Sequence, residues 1–319
     1  MAIQLIRFQG DQAQAQWGVV RGGSIAPLQG SYASTRDLLL QGQDDIRAAE
    51  AAAPSVALKS VQVLSPITTQ QQFLCQGINY ESHVRESGLD LRQLPFNTLF
   101  TKAPSSLCGA HDVIVRPRHV HLLDYEIELG IVLGRDVHSA QQVRPDALHE
   151  YLAGVTIIND ISARDIQLPQ TQFYKGKSYR TFGPAGPFLV LLSAAEWKRW
   201  PELHMRLAVN GVVRQEARCG EMLHQPAATL TEFSGLHDLQ AGDVIATGTP
   251  AGCAARAPSK AVAWIAKHFL SDQAKWQMFI GKGKKNPAYL QPGDELRLSI
   301  RTDDGQIDLG EQVNKVMAA

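Results

Sequence analysis

Along most of this chain apolar and polar residues alternate with a period of two, in short runs separated by Gly, Pro and Asp. That period puts successive side chains on opposite faces of an extended backbone, so the runs predict β-strands joined by tight turns. Residues 3–8 and 17–21 have the pattern of two paired strands. The Ala-rich stretch 44–53 has high helix propensity and stops before Pro54, and 60–64 returns to a strand pattern that ends at Pro66. A small N-terminal α+β domain is therefore expected over 1–68. Beyond it, strands are expected at 113–115, 127–133, 155–158, 188–192, 207–209, 244–246 and 296–300. Asn210-Gly211 predicts a two-residue hairpin, since both central positions of that turn need positive φ. Ala241-Gly242-Asp243 and Pro292-Gly293-Asp294 are turns that each open the following strand. The rhythm breaks over 254–286, which is Lys-rich and carries Trp264, Phe269, Trp276 and Phe279 at helical spacing. The fold class expected is mixed, β-rich α+β with few helices. Its larger domain spans 69–319 and carries an inserted helical segment at about 254–287.

At 319 residues the chain is longer than a usual single domain, which agrees with one large unit and one small one. Lys plus Arg and Asp plus Glu both total 31, so there is no global field to attract nucleic acid or an anionic membrane, and neither partner is expected. Cys75, Cys108, Cys219 and Cys253 are far apart and lack C-x-x-C spacing. That argues against a disulfide framework or a zinc site and for a reducing compartment. The N-terminus has no apolar stretch of signal-peptide type, and nowhere do about 18 apolar residues run together without charge. A soluble, cytoplasmic protein is expected.

Candidate chemistry begins in the stretch from Asp124 to Gly134. On a strand Glu126 and Glu128 share one face while Ile127, Leu129 and Ile131 share the other, so two carboxylates point side by side. They repel unless a cation lies between them, and a hard divalent cation such as Mg2+, which keeps several waters, relieves the repulsion. A solvent-facing strand edge would tolerate the same pair without a metal. Downstream, Ile157 and Ile158 lead into Asn159-Asp160, so an apolar strand ends in a carboxylate, with Ser162, Arg164 and Gln167 just after it. Asp160 is the candidate third oxygen ligand, a simple turn cap being the alternative. Upstream, His83 and Glu86 lie three residues apart. In a short helix they share a face, and the carboxylate can orient the imidazole for water activation.

The runs DYEIELGIVLG, NDISARDIQ, GKSYRTFGPAGP, VNGVVRQ, GDVIATGTPAG and LQPGDELRLSI, in this order and at compatible spacings, resemble the fumarylacetoacetate hydrolase family. The resemblance implies a β-sandwich roll, homodimers, and a divalent metal held by Glu126, Glu128 and Asp160, with Mg2+ first and Mn2+ or Ca2+ as alternatives. It puts Lys177 beside the metal, Thr249 against the substrate, and Arg164 and Gln167 at the pocket. It also implies that His83 and Glu86 ride on a mobile lid that closes over the substrate. Lys102, in FTKAPSSLCG with Ser105 and Ser106, belongs to a stretch similar to one that lines the family's pocket and is carried as a further substrate contact. His119 and His121 lack partners at ligand spacing and are left out.

What the resemblance implies about activity is an enzyme of aromatic-compound catabolism that acts on a small 2-oxo acid, held by its oxo and carboxylate oxygens. Water activated by His83 and Glu86 would attack a carbonyl at C4 and expel a pyruvate enolate. The reaction expected is hydrolysis of a 2,4-dioxo acid of acylpyruvate or fumarylpyruvate type. The same parts serve decarboxylation, isomerisation or hydration of a 2-hydroxydienoate, and a catalytically silent metal-binding scaffold is the alternative from another class. Between TGTPAGC and YLQPGDELRL the chain is longer than its shorter relatives. There Lys267, Lys275, Lys282, Lys284 and Lys285 could meet an acidic substrate tail, or the aromatic residues could pack the added helix onto a surface.

Overall fold

The computed structural model describes residues 2–10, 14–90, 96–257 and 271–319. Two sheets carry the fold. By hydrogen-bonded neighbours the larger runs from Val56–Ala57 through Ser24–Pro27, Gln16–Arg21, Ile3–Gln9, Phe188–Leu191, Leu152–Asn159, Ile127–Leu133 and Val244–Ala246 to Phe73–Gly77 and Thr98–Lys102. The smaller has the order Val212–Arg218, His204–Val209, Glu295–Arg301, Asp308–Ala318, Ile114–Arg116. Neither path closes on itself.

The strand Ile127–Leu133 shows how the sequence pattern is used. It lies between two antiparallel partners, with Ile127 opposite Asn159 on one side and Gly130 opposite Ala246 on the other. Ile127, Leu129, Ile131 and Leu133 join Leu207, Leu296, Leu298 and Ile300 of the smaller sheet in one apolar core. Val132 faces a second core with Ile158, Phe73 and Val244, closed by Leu38 and Ile46 from the helices Thr35–Gln41 and Gln43–Ala51. Apolar burial on both faces is the driving term, so only a specific need can put Glu128 between these layers.

The strand Ile3–Gln9 pairs with Gln16–Arg21 and also with Phe188–Leu191, so the N-terminal segment shares a sheet with residues far beyond 69. The hairpin at Asn210-Gly211 has φ of 51° and 78° and joins His204–Val209 to Val212–Arg218. The periodicity does not reveal the strand Phe73–Gly77 or the helix Pro226–Leu236. The strand is short and almost wholly buried, so it has no polar face to mark its period. In the inserted segment the helix Asp272–Gly283 is capped by Ser271, and Phe279 and Ile280 pack against the larger core while Gly283 lies tight on Leu122. This part of the insertion is thus a packed helix; Trp264, Lys267 and Phe269 lie outside the described residues. No described helix is long and apolar enough to cross a membrane.

Gly154 sits where Leu152–Asn159 meets Phe188–Leu191, and a Cβ there would lie 2.1 Å from the Val190 carbonyl oxygen. Gly154→Ala is expected to cost about 3 kcal/mol, the upper end for overpacking a tight interior. Gly211→Ala, at φ 78° with open space around its Cβ, is expected to cost about 1 kcal/mol. Denaturant midpoints check this order, and equal losses would show that the two strands part without strain.

Candidate active site

The carboxylates are placed by strand register. Glu126 immediately precedes Ile127–Leu133, Glu128 lies on the same face two residues on, and Asp160 follows Leu152–Asn159 at the point where Ile127 is opposite Asn159. The Asp160 N–H donates to the Glu126 carbonyl at 2.8 Å, which fixes the two chain segments together. Carboxylate oxygens of Glu126, Glu128 and Asp160 lie within 4.8 Å of one another, and all three side chains are buried. A solvent-facing edge is excluded for the glutamate pair.

Three cations are built in beside them. The helix Tyr174–Lys177 approaches Arg164–Gln170 closely because Gly176 has no side chain; a Cβ there would lie 2.7 Å from that of Gln167. At its end Lys177 Nζ donates to Glu126 Oε2 at 2.6 Å, Asp160 Oδ2 at 2.5 Å and Ser162 Oγ at 2.8 Å. Arg164 Nε donates to Asp124 Oδ2 and Nη1 to Gln167 Oε1, both at 2.8 Å, and Nη2 pairs with Glu126. Asp124 stands opposite Ser162 in the two-stranded pair Leu123–Asp124 and Ser162–Ala163, which is why Arg164 reaches it. Lys102 pairs with Asp160 and donates to the Phe182 carbonyl at 2.7 Å. It is bonded to Asp160 and is not itself among the residues that line the cavity. Of its neighbours in sequence, Ser106 is buried and Ser105 exposed.

Four buried carboxylates, from Asp124, Glu126, Glu128 and Asp160, therefore meet three buried cations. Burial acts to raise the Glu126 pKa, but Arg164 and Lys177 overcome it and hold that carboxyl well below its usual range. Burial likewise acts to lower Lys177, and Asp160 and Glu126 reverse the effect. Glu128 is the acid left over. Burial first, then Asp160 and Glu126, push its pKa well above the usual carboxylate range, and the Gly248 N–H at 2.8 Å is its only direct hydrogen-bond donor among the described residues. Gly248 makes that bond at φ 88°, on a turn a Cβ would drive into Asn79. The donor set fits a divalent cation: three carboxylates, all hard oxygen donors, with one of them, Glu128, in no ion pair among the described residues.

A cavity of about 40 Å³ opens on this cluster. Its lining includes all three carboxylates, His83, Arg164, Gln167, Lys177 and Thr249, so the structure brings these candidates together. Thr249 Oγ1 donates to the Ile127 carbonyl at 2.9 Å and receives a hydrogen bond from Gln215 at 2.8 Å. His83 is held over the cavity by the helix Glu81–Glu86, and its Nδ1 is buried without a hydrogen-bond partner. Burial depresses its pKa against the opposing pull of Glu126. No hydrogen bond joins it to Glu86 among the described residues. Glu86 instead accepts from the Gly252 N–H at 2.7 Å and pairs with Arg256 at 3.2 Å, tying the helix to the loop that leads into the insertion. Residue patterning did not reveal Asp124 as the anchor of Arg164, nor Phe100 and Phe173, whose rings meet edge to face at 4.8 Å in the cavity wall. The acidic run DYEIE carried a signal for Asp124; the two phenylalanines carried none.

Residues 72–317 match the model of the fumarylacetoacetate (FAA) hydrolase C-terminal domain. An uncharacterized protein of Staphylococcus saprophyticus is 32% identical over 248 residues, 77% of this chain and 70% of that protein. Among solved structures, a fumarylacetoacetate hydrolase from Exiguobacterium antarcticum is 31% identical with a TM-score of 0.71, over 99% of this chain and 100% of the other. A probable 2-hydroxyhepta-2,4-diene-1,7-dioate isomerase from Mycobacterium abscessus is 29% identical with a TM-score of 0.73, over 100% and 99% of the two chains. With the family's domain matched over most of the chain and its fold over all of it, this protein belongs to the fumarylacetoacetate hydrolase family.

Proposed function

We propose that this protein is a divalent-metal-dependent hydrolase that cleaves the C3–C4 bond of a small 2,4-dioxo acid of acylpyruvate or fumarylpyruvate type. The observation that carries this reading is the convergence on one cavity of three carboxylates, two fixed cations and an imidazole whose buried nitrogen has no partner. A cation such as Mg2+, held by Glu126, Glu128 and Asp160, would supply Lewis acidity toward the oxo and carboxylate oxygens of the substrate. Charge balance supports an anionic substrate. Four ionised carboxylates against three cations leave one negative charge, a divalent ion turns this into one positive charge, and the carboxylate beside the substrate's 2-oxo group offsets it.

The chain's own groups supply the proton transfers. His83, kept neutral near pH 7 by burial, accepts a proton from water. The hydroxyl oxygen then bonds to the C4 carbonyl carbon. The C3–C4 bond breaks with its electron pair passing to C3, and the imidazolium returns the proton there, giving a carboxylic acid and pyruvate. Lys177, fixed by three oxygens, and Arg164 keep positive charge beside the reacting end. At about 40 Å³ the cavity holds a few waters, far below the roughly 300 Å³ or more of a typical ligand pocket. Admission of substrate therefore requires the helix Glu81–Glu86 or the Phe173 wall to move, and Glu86 must leave Gly252 before it can orient His83.

Isomerisation of a 2-hydroxydienoate is the second reading, favoured by the full-length likeness to the Mycobacterium abscessus isomerase and by the absence of a hydrogen bond between His83 and Glu86. It uses the same metal and needs no water.

His83→Ala is expected to lower the kcat of acylpyruvate hydrolysis by about 100-fold or more while leaving divalent-cation affinity unchanged. Wild type and variant should be assayed with Mg2+ on acetylpyruvate, fumarylpyruvate, oxaloacetate and a 2-hydroxydienoate. Wild-type turnover confined to the 2-hydroxydienoate would replace hydrolysis by the second reading. Glu128→Gln tests the metal separately. In the cation-free protein, the raised Glu128 pKa means that stability present in the ordinary carboxylate range is lost as pH rises through the folded-state value. Without cation, Glu128→Gln should therefore be more stable than wild type at alkaline pH. It should also lose the stabilisation that Mg2+ gives wild type, about 2.7 kcal/mol at 100 times Kd. Equal Mg2+ stabilisation of both proteins would remove Glu128 from the ligand set.

A further inference from the structure

A ring nitrogen of His83, a carboxylate oxygen of Glu126 and Cys253 Sγ lie within 4.8 Å of one another. They come from three separate places: the helix Glu81–Glu86, the start of Ile127–Leu133, and the loop after Val244–Ala246. Two of the three are short of partners. His83 Nδ1 is buried and makes no hydrogen bond. The Cys253 thiol is 2% exposed and among the described residues has only long hydrogen-bond contacts, 3.9 Å to Glu126 Oε1 and 3.6 Å from Gln215 Nε2. We propose that His83, Glu126 and Cys253 form a second metal site, one that takes Zn2+ in preference to Mg2+ and inhibits the enzyme when filled.

The donor chemistry sets the preference. Imidazole nitrogen, thiolate sulfur and one carboxylate oxygen suit Zn2+, whereas Mg2+ requires hard oxygen donors in near-octahedral array. The adjoining triad of Glu126, Glu128 and Asp160 is the opposite case, all oxygen. A tetrahedral zinc with bonds of about 2.3 Å to sulfur and 2.0 Å to oxygen separates those two atoms by about 3.5 Å. The observed 3.9 Å thus needs to close by only a few tenths of an ångström. Ligation releases the thiol proton to solvent, and three protein ligands leave a fourth position for water. Arg164 already pairs with the Glu126 oxygen nearest Cys253, while Asp124 holds its Nε. Zinc must share that oxygen with a guanidinium, which makes this a reversible, inhibitory site instead of a structural one. The ligands are scattered in sequence, and so no cysteine spacing announces them.

Binding follows from the geometry alone; inhibition rests on the function proposed above, because a metal on the imidazole stops it from taking a proton. The test uses the full chain with saturating Mg2+. Co2+ is the spectroscopic probe and Zn2+ the inhibitor. Expected are a thiolate-to-cobalt charge-transfer band in wild type, its loss in Cys253→Ser and His83→Ala, and its removal by added Zn2+. Zn2+ inhibition of acylpyruvate turnover should weaken at least about 10-fold in Cys253→Val, the lower end of what is lost even when a residue behind a ligand is changed. The proposal is overturned if wild type binds Co2+ without a thiolate band, or if Zn2+ inhibits wild type and Cys253→Val equally, since the metal would then act at the all-oxygen triad. Should Cys253→Val fail to fold, the wild-type band decides by itself.

Discussion

A carboxylate, Glu128, buried among other carboxylates and in no ion pair among the described residues is the constraint around which this molecule is arranged. Two like charges roughly 4 Å apart repel by about 4 kcal/mol at an effective dielectric of 20, and desolvation adds to that cost. The chain answers most of the repulsion itself. Lys177 spans Glu126 and Asp160, Lys102 pairs with Asp160, and Arg164 bridges Asp124 and Glu126. It does not answer Glu128, which among the described residues receives only a peptide N–H from Gly248. A fourth cationic side chain there would have been a cheaper core. No such side chain stands there among the described residues, and the adjoining cavity is lined by His83, whose buried Nδ1 has no hydrogen-bond partner among them; the cluster is a candidate cation site.

The rest of the fold serves that arrangement. Register between Ile127–Leu133 and Leu152–Asn159 brings Asp160 beside Glu126, and the two apolar cores on either face keep those strands from shifting. A one-residue slip would turn Glu128 toward the core that holds Leu129 and put Leu129 in the site. Fixed elements thus carry the carboxylates and the cations, while His83 rides on a six-residue helix. That helix is tied through Glu86 to Gly252 and Arg256, at the entry to the inserted segment. The insertion is therefore in a position to influence that helix even though its own helix Asp272–Gly283 packs against the domain.

The sequence made part of this legible. Alternation located the central strands, and the side-by-side placement of Glu126 and Glu128 followed from a period of two. Asp160, Lys177, Arg164, Gln167 and Thr249, singled out through the family resemblance, line the same cavity. Other features escaped because they depend on distant partners. Nothing in FTKAPSS tells that Lys102 pairs with Asp160, and nothing near His83 tells that Glu86 bonds a peptide N–H more than 160 positions away, at 252. Cys253 looked inert by spacing, and its nearness to His83 and Glu126 exists only after folding. The continuity of the larger sheet across residue 69 depends on Ile3–Gln9 finding Phe188–Leu191, a pairing that local patterns cannot specify.

The central claim is that Glu126, Glu128 and Asp160 together hold a divalent cation. The most direct measurement is a crystal structure with Mn2+ recorded at a wavelength where manganese scatters anomalously. The account predicts one anomalous peak within bonding distance of oxygens from all three residues, with Lys177 adjacent. A peak that omits Glu128, or manganese found only elsewhere on the molecule, would contradict it.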